Sequence, residues 1–196
     1  MIIFLDTETT GLYPGNVCQL SYIMRSAESV RAKNYFFAVD KVEFGAFAVN
    51  GLSVPILYAL SEGKRFIDFI DEIETDFENA RIVIAHNAAF DLMFLREEFK
   101  NCGREFRCND VFCSMKKSVP ICKLPRSRGN GYKYPKLAEL CGYFGIDDCD
   151  IKTECTKLFG ESANYHDARF DASALYLAVC KAMECENNFA VLKNGL

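Results

Sequence analysis

The chain has 196 residues, 23 basic and 27 acidic, for a formal net charge of −4, and half of its residues are apolar. That length suits one domain with a sizeable core, and no apolar run approaches the roughly 18–20 residues of a membrane span, so neither disorder nor a transmembrane helix is expected. A mildly acidic balance argues against coating a nucleic acid nonspecifically, but it leaves room for a nucleic-acid enzyme with one local basic patch.

In chain order, Ile2-Ile3-Phe4-Leu5 reads as a buried strand. Asp6 and Glu8 follow at once, without a basic n-region or room for an apolar h-region, so no secretory signal is expected and the cytoplasm is. There the ten cysteines stay reduced. None forms a Cys-x-x-Cys pair and the chain has only two histidines, so a structural zinc site is not expected. Gly11, Pro14 and Gly15 punctuate a loop. Residues 17–25 and 32–39 read as an antiparallel strand pair, turning over 25–31. Ser53 and Pro55 start a short helix that Gly63 closes. Phe66, Ile67, Phe69, Ile70, Ile73 and Phe77 recur at helical spacing. Residues 82–85 form another buried strand, and a helix follows to about Phe99.

Residues 104–136 change character: nine Lys and Arg side chains face only Glu105 and Asp110. A short strand is expected near Phe106. The stretch 125–135, with Gly129, Gly131 and two prolines, reads as a loop. Pro135 and Gly145 bracket a helix. The last helix begins near His166 and carries the apolar stripe Ala172, Leu175, Tyr176, Val179, Cys180 and Met183. The order predicts an α/β domain, a mixed sheet covered by helices, with no linker and no tandem repeat.

Three local patterns carry chemistry. Asp6 and Glu8 lie two apart on a strand, so both side chains face the same way. Carboxylates directly after a buried run are costly unless a cation or hydrogen bonds compensate them, which makes the pair a natural hard-cation site; two acids pointing into solvent is the alternative. His86-Asn87-Ala88-Ala89-Phe90-Asp91 places Asp91 beside the core-facing stripe of the helix after strand 82–85, where an ordinary first-turn acid is the competing reading. His166-Asp167-Ala168-Arg169-Phe170-Asp171 opens the last helix. His166 and Asp171 are five apart and can converge only if His166 sits in a loop or frayed first turn; a mobile His beside a metal site suits general-base work. Both histidines fall in the pattern H-x-A-x-F-D. Acids bordering the core at three separate element ends need a common partner, and two divalent cations would offset four carboxylates.

Phe4 to Leu12, then His86 to Asp91, then His166 to Asp171 resemble, in order, the three exonuclease motifs of the DEDDh family, most closely its DnaQ-like group. Val49-Asn50-Gly51-Leu52 is similar to the family's substrate-contact turn, with Asn50 where many relatives carry His, and the block 135–146 is similar to its later helix. The resemblance implies a ribonuclease H-like mixed five-stranded sheet flanked by helices, one exonuclease domain over 1–196, and 3′→5′ hydrolysis of phosphodiesters. By the same resemblance Asp6, Glu8, Asp91 and Asp171 hold two divalent cations, Mg²⁺ or Mn²⁺, and His166 is the general base. Asp6 is expected to bridge the ions, Glu8 and Asp171 to hold one, and Asp91 to support the other. Thr9, Thr10, Gly11, Leu12, Val49, Asn50 and Phe90 are expected to meet the 3′-terminal nucleotide. His86 is read as structural.

The partner implied is the 3′ end of single-stranded DNA, with RNA left open. A DNA polymerase is a further candidate, although the short stretch 187–196 after the last helix favours a stand-alone nuclease. The basic stretch 104–136, with Tyr132 and Tyr134, either guides the strand or is a solvated loop. Two rivals remain. A haloacid-dehalogenase-type phosphatase would use Asp6-x-Glu8 and Asp147-Asp148 but leaves both H-x-A-x-F-D blocks unexplained, and a non-catalytic binding module on the same fold would not need all five catalytic positions filled.

Overall fold

The computed structural model describes residues 1–13 and 16–193; Pro14 and Gly15 of the expected loop lie outside them. Its frame is a five-stranded sheet in the order β3-β2-β1-β4-β5. The strands are β1 (Ile2–Thr9), β2 (Val17–Arg25), β3 (Val30–Phe36), β4 (Ile82–Ala85) and β5 (Val111–Cys113). β1 is central. It pairs antiparallel with β2, Ile2 opposite Arg25 and Glu8 opposite Gln19, and parallel with β4, Ile2 opposite Ile82. A register shift between Glu8 and Thr9 bends the end of β1, as bulges do beside sites. The mixed sheet flanked by helices is the expected class.

Alternation along β1 feeds two cores. Ile3 and Leu5, with Leu20, Tyr22 and Val83, pack against α3 (Ile70–Glu78) and α4 (Ala88–Asn101) through Ile73, Phe77, Leu95 and Phe99. Ile2 and Phe4, with Ile23, Ile84 and Phe112, pack against α9 (Ala168–Cys185) through Ala172, Leu175, Val179 and Ala182. Both faces are covered, which explains why β1 and β4 begin as unbroken apolar runs. The remaining helices are α1 (Phe44–Asn50), α2 (Val54–Leu60), the short α5 (Ser114–Lys117) and α6 (Val119–Cys122), α7 (Leu137–Tyr143) and α8 (Asp148–Phe159). α7 and α8 bury Leu140, Cys141, Ile151 and Cys155 against the outer side of α9.

Three expectations need correction. The strand expected at 32–39 runs from Val30 to Phe36. Ser26 ties a tight turn by accepting from the Ser29 amide, which lets pairing start earlier, and Ala38 N–H leaves the sheet to donate to Lys64 O at 2.7 Å. The short strand lies at 111–113, not at Phe106. Phe106 is a loop anchor whose ring packs at 5.3 Å from Phe77 and 5.1 Å from Phe99. The turn 49–52 is the end of a helix that the sequence reading omitted: Gly51, at φ 72°, caps α1 by donating to Phe47 O.

Candidate active site

The C-terminal end of β1 delivers Asp6 and Glu8 on the face that α9 covers. β4 ends beside β1: Asn87, at φ 79°, turns the chain sharply into α4, so Asp91 lands in the first turn of that helix. Thr7 Oγ1, on the opposite face of β1 from Asp6, donates to Asp91 Oδ1 at 2.9 Å and fixes that carboxylate against the strand end. Asp171 occupies the first turn of α9, where its backbone N–H donates to Asp167 O. His166 precedes the helix at φ 65°, a left-handed conformation costly for a residue with a side chain. Its amide donates to Asp171 Oδ2 at 3.2 Å. The loop position that convergence demanded is therefore the one observed.

Asp6, Glu8, Asp91, His166 and Asp171 line one cleft of about 430 Å³, with His86, Tyr134, Pro135 and Tyr165 among its other walls. One ligand atom each of Glu8, His166 and Asp171 lies within 4.8 Å of the others. Glu8, Asp91 and Asp171 are at most 9 % exposed, and among the described residues no Lys or Arg pairs with any of the four acids. Their proton affinities follow. Burial first, then Asp171, Asp91 and Glu8, push Asp6 well above the ordinary carboxyl range. Burial and the Asp171 charge raise Glu8 to about 8, against a hydrogen bond from Asn50. Burial raises Asp91 and Asp171 each to about 7, opposed by the Thr7 and His166 hydrogen bonds respectively.

A second hollow of about 390 Å³ opens beside the cleft and shares Thr7, Glu8 and Phe90 with it. Thr9, Gly11, Leu12, Val49 and Asn50 line it. Thr10 does not: its N–H donates to Asn16 O and its carbonyl accepts from Glu43, so it is a backbone anchor of the loop. Asn50 Nδ2 donates to Thr9 O at 3.3 Å and its Oδ1 accepts from Leu52 N–H, which holds the turn onto β1. Gly11 lies close under the Glu43 carboxylate, so a β-carbon there, 2.5 Å from Glu43 Cδ, would displace the end of that side chain. Phe90 serves two purposes, packing on Phe94 at 4.8 Å while walling both hollows.

Several positioning residues escaped the sequence reading. Gln19 of β2 is fully buried. It donates to Asp167 Oδ1 at 2.9 Å and accepts from Ala168 N–H at 3.1 Å, tying the start of α9 to the sheet. Asp167 caps α9 by accepting from Arg169 N–H and pairs with the Arg169 guanidinium at 2.7 Å. His86, which the sequence reading did single out as structural, has both ring nitrogens engaged, Nδ1 with Ser114 Oγ and Nε2 with Pro135 O, each at 2.9 Å. Because a carbonyl only accepts, Nε2 carries the proton. Only the Asp167 cap had a local signal, an Asp just ahead of an apolar helix. Asp147 of the phosphatase alternative caps α8 instead, accepting from Cys149 and Asp150 amides.

No family model matches the chain. Over 158 residues it is 28% identical to the DNA polymerase III subunit epsilon of Escherichia coli K12 and 26% identical to that of Rickettsia felis, taking in 74% of this chain in both cases. The resemblance to the DnaQ-like group holds. Those matches take in 61% and 63% of the relatives, so the chain spans under two thirds of their length. In structure it superposes with a TM-score of 0.64 on the nuclease domain of 3′hExo, a DEDDh family member solved with rAMP, at 10% identity and covering 95% of this chain and 93% of that one. This chain thus has the ribonuclease H-like fold of that domain, a mixed five-stranded sheet flanked by helices. Among the described residues no helix is long and apolar enough to cross a membrane.

Proposed function

We propose that this chain is a metal-dependent 3′→5′ exonuclease that hydrolyses single-stranded nucleic acid, DNA in preference, to nucleoside 5′-monophosphates. The observation that carries the reading is the convergence of four acids and a histidine, from three separate elements, on one cleft in which Lys136 also stands but, among the described residues, no Lys or Arg forms an ion pair with any of the four acids. The donor set fits hard divalent cations such as Mg²⁺ or Mn²⁺: carboxylate oxygens dominate it, and their raised proton affinities mark a charge deficit that a cation would fill. Asp6, Glu8, Asp91 and Asp171 would hold two such ions. When bound, the ions would stabilise charge on the attacking and leaving oxygens of an in-line displacement.

The chain's own residues supply the rest. His166, neutral because burial lowers its proton affinity, accepts the proton of the attacking water. Asp171 takes the His166 amide and keeps the imidazole over the cleft. The Thr9–Leu12 edge, Val49, Asn50 and Phe90 hold the terminal nucleotide in the adjoining hollow. Water attacks phosphorus, the bond to the upstream 3′-oxygen breaks, that oxygen takes a proton from solvent, and the shortened strand leaves with a 3′-hydroxyl. Because the relatives are subunits of a DNA polymerase, a DNA polymerase is the further partner to test, by co-purification.

The test uses 5′- and 3′-labelled single-stranded DNA and RNA with Mg²⁺, Mn²⁺ or chelator. Mononucleotides released stepwise from the 3′ end, with cation and not with chelator, are expected, and Asp6→Ala should abolish them in a protein that keeps its circular dichroism spectrum. Release of inorganic phosphate, or full activity in Asp6→Ala, would refute the proposal.

A further inference from the structure

Residues 123–136 hold five basic side chains and no acidic one, in a chain whose net charge is −4. They form a hairpin. Pro125 bridges Tyr132, Lys133 N–H donates to Leu124 O at 2.9 Å, and Arg126 N–H donates to Gly131 O at 3.2 Å. Glu139, just beyond it, takes Lys133 at 2.5 Å and the Lys136 amide at 2.7 Å. Among the described residues Arg126, Arg128 and Lys136 have no carboxylate partner. The hairpin is anchored at the cleft, because His86 Nε2 on the β4 end donates to Pro135 O. Its own hollow, about 740 Å³ and lined by Pro125, Arg126, Arg128, Lys133 and Tyr134, meets the acid cleft at Tyr134, which lines both. Tyr132 and Tyr134 are 46 % and 58 % exposed, which leaves ring surface open to solvent.

This placement answers an electrostatic difficulty. The cleft is a concentration of negative charge, and a polyanion approaching it needs a positive path that ends beside the acids rather than among them. We infer that the 123–136 hairpin is a holding arm for the strand upstream of the nucleotide being removed, with Arg126 and Arg128 on its phosphates and Tyr132 and Tyr134 against its bases. The inference rests on the nuclease reading, and it specifies the substrate further: a flexible single strand several nucleotides long, since stacking on exposed tyrosines needs unpaired bases.

The test is the double variant Arg126→Gln/Arg128→Gln, whose side chains sit on an exposed hairpin outside both cores. Binding and hydrolysis of single-stranded oligonucleotides from two to about twelve nucleotides are measured across a salt series. The expected loss in kcat/KM is roughly 10-fold on the longest strand, carried by KM, and it shrinks as the strand shortens. The slope of log affinity against log salt should fall by about 1.4, two phosphate contacts at about 0.7 each for single strands. Tyr134→Ala should weaken binding without changing that slope. An unchanged slope and a loss independent of strand length would overturn the inference and leave the basic surface to an acidic protein partner. Should the unmodified protein cleave nothing with either cation, the nuclease reading falls alone if the double variant still weakens salt-dependent binding.

Discussion

Replacing Glu8 with Gln should stabilise the metal-free protein while destroying its activity. Glu8 is 9 % exposed and titrates at about 8 in place of 4.5. The folded state therefore binds the proton more tightly than the unfolded chain, and stability declines as pH rises from about 4.5 to about 8. The 3.5 pH units between those values, at about 1.4 kcal/mol each, set a ceiling of roughly 5 kcal/mol on the cost of ionising Glu8. Asp171 shares that cost and local rearrangement reduces it, so somewhat under half the ceiling, about 2 kcal/mol, is the working figure. For a chain of this size that is a rise in Tm of about 4–8 °C. Thermal unfolding in chelator at pH 8.5 and pH 5 reads it directly. Glu8→Gln should melt higher than the parent at pH 8.5, by much less at pH 5, and should gain less from added Mn²⁺. Equal melting points at pH 8.5, or a variant less stable than the parent there, would refute the reasoning.

His166→Ala should lower kcat by about 10²–10⁴-fold with the fold intact, measured by mononucleotide release; an unchanged rate would remove His166 from the proton transfer. The parent's activity should fall as pH drops through the titration of His166, at a pH below its usual 6.5 because burial lowers it; a flat profile from pH 5 to 8 would count against a histidine base. Gln19→Leu removes both hydrogen bonds that tie the start of α9 to the sheet, so it should cost about 1–3 kcal/mol, seen as a lower Tm, and should weaken cation affinity through the displaced Asp171. A stable variant with parental affinity would show that α9 is positioned without Gln19.

What was legible in the sequence was what repeats locally. The unbroken runs of β1 and β4 and the stripe of α9 follow from their burial on both faces of the sheet or along one side of a helix. The two H-x-A-x-F-D blocks were legible because each sets an acid in the first turn of a helix. α1 escaped because none of its residues is buried, leaving no apolar periodicity to read. Phe106 suggested a strand because an isolated aromatic anchor and a strand residue look alike without their neighbours. Gln19 gave no signal for its role, since its partners at the start of α9 are about 150 positions away, and the left-handed backbone of His166 is imposed by the fold.

On the proposed function, the acids of β1 and of the first turns of α4 and α9 stand together to hold divalent cations. Anomalous diffraction from crystals soaked in Mn²⁺ looks for them in place. Strong peaks are expected between Asp6, Glu8, Asp91 and Asp171, lost in Asp6→Ala crystals. Carboxylates in the observed arrangement with no peak among them at millimolar Mn²⁺ would contradict the proposal.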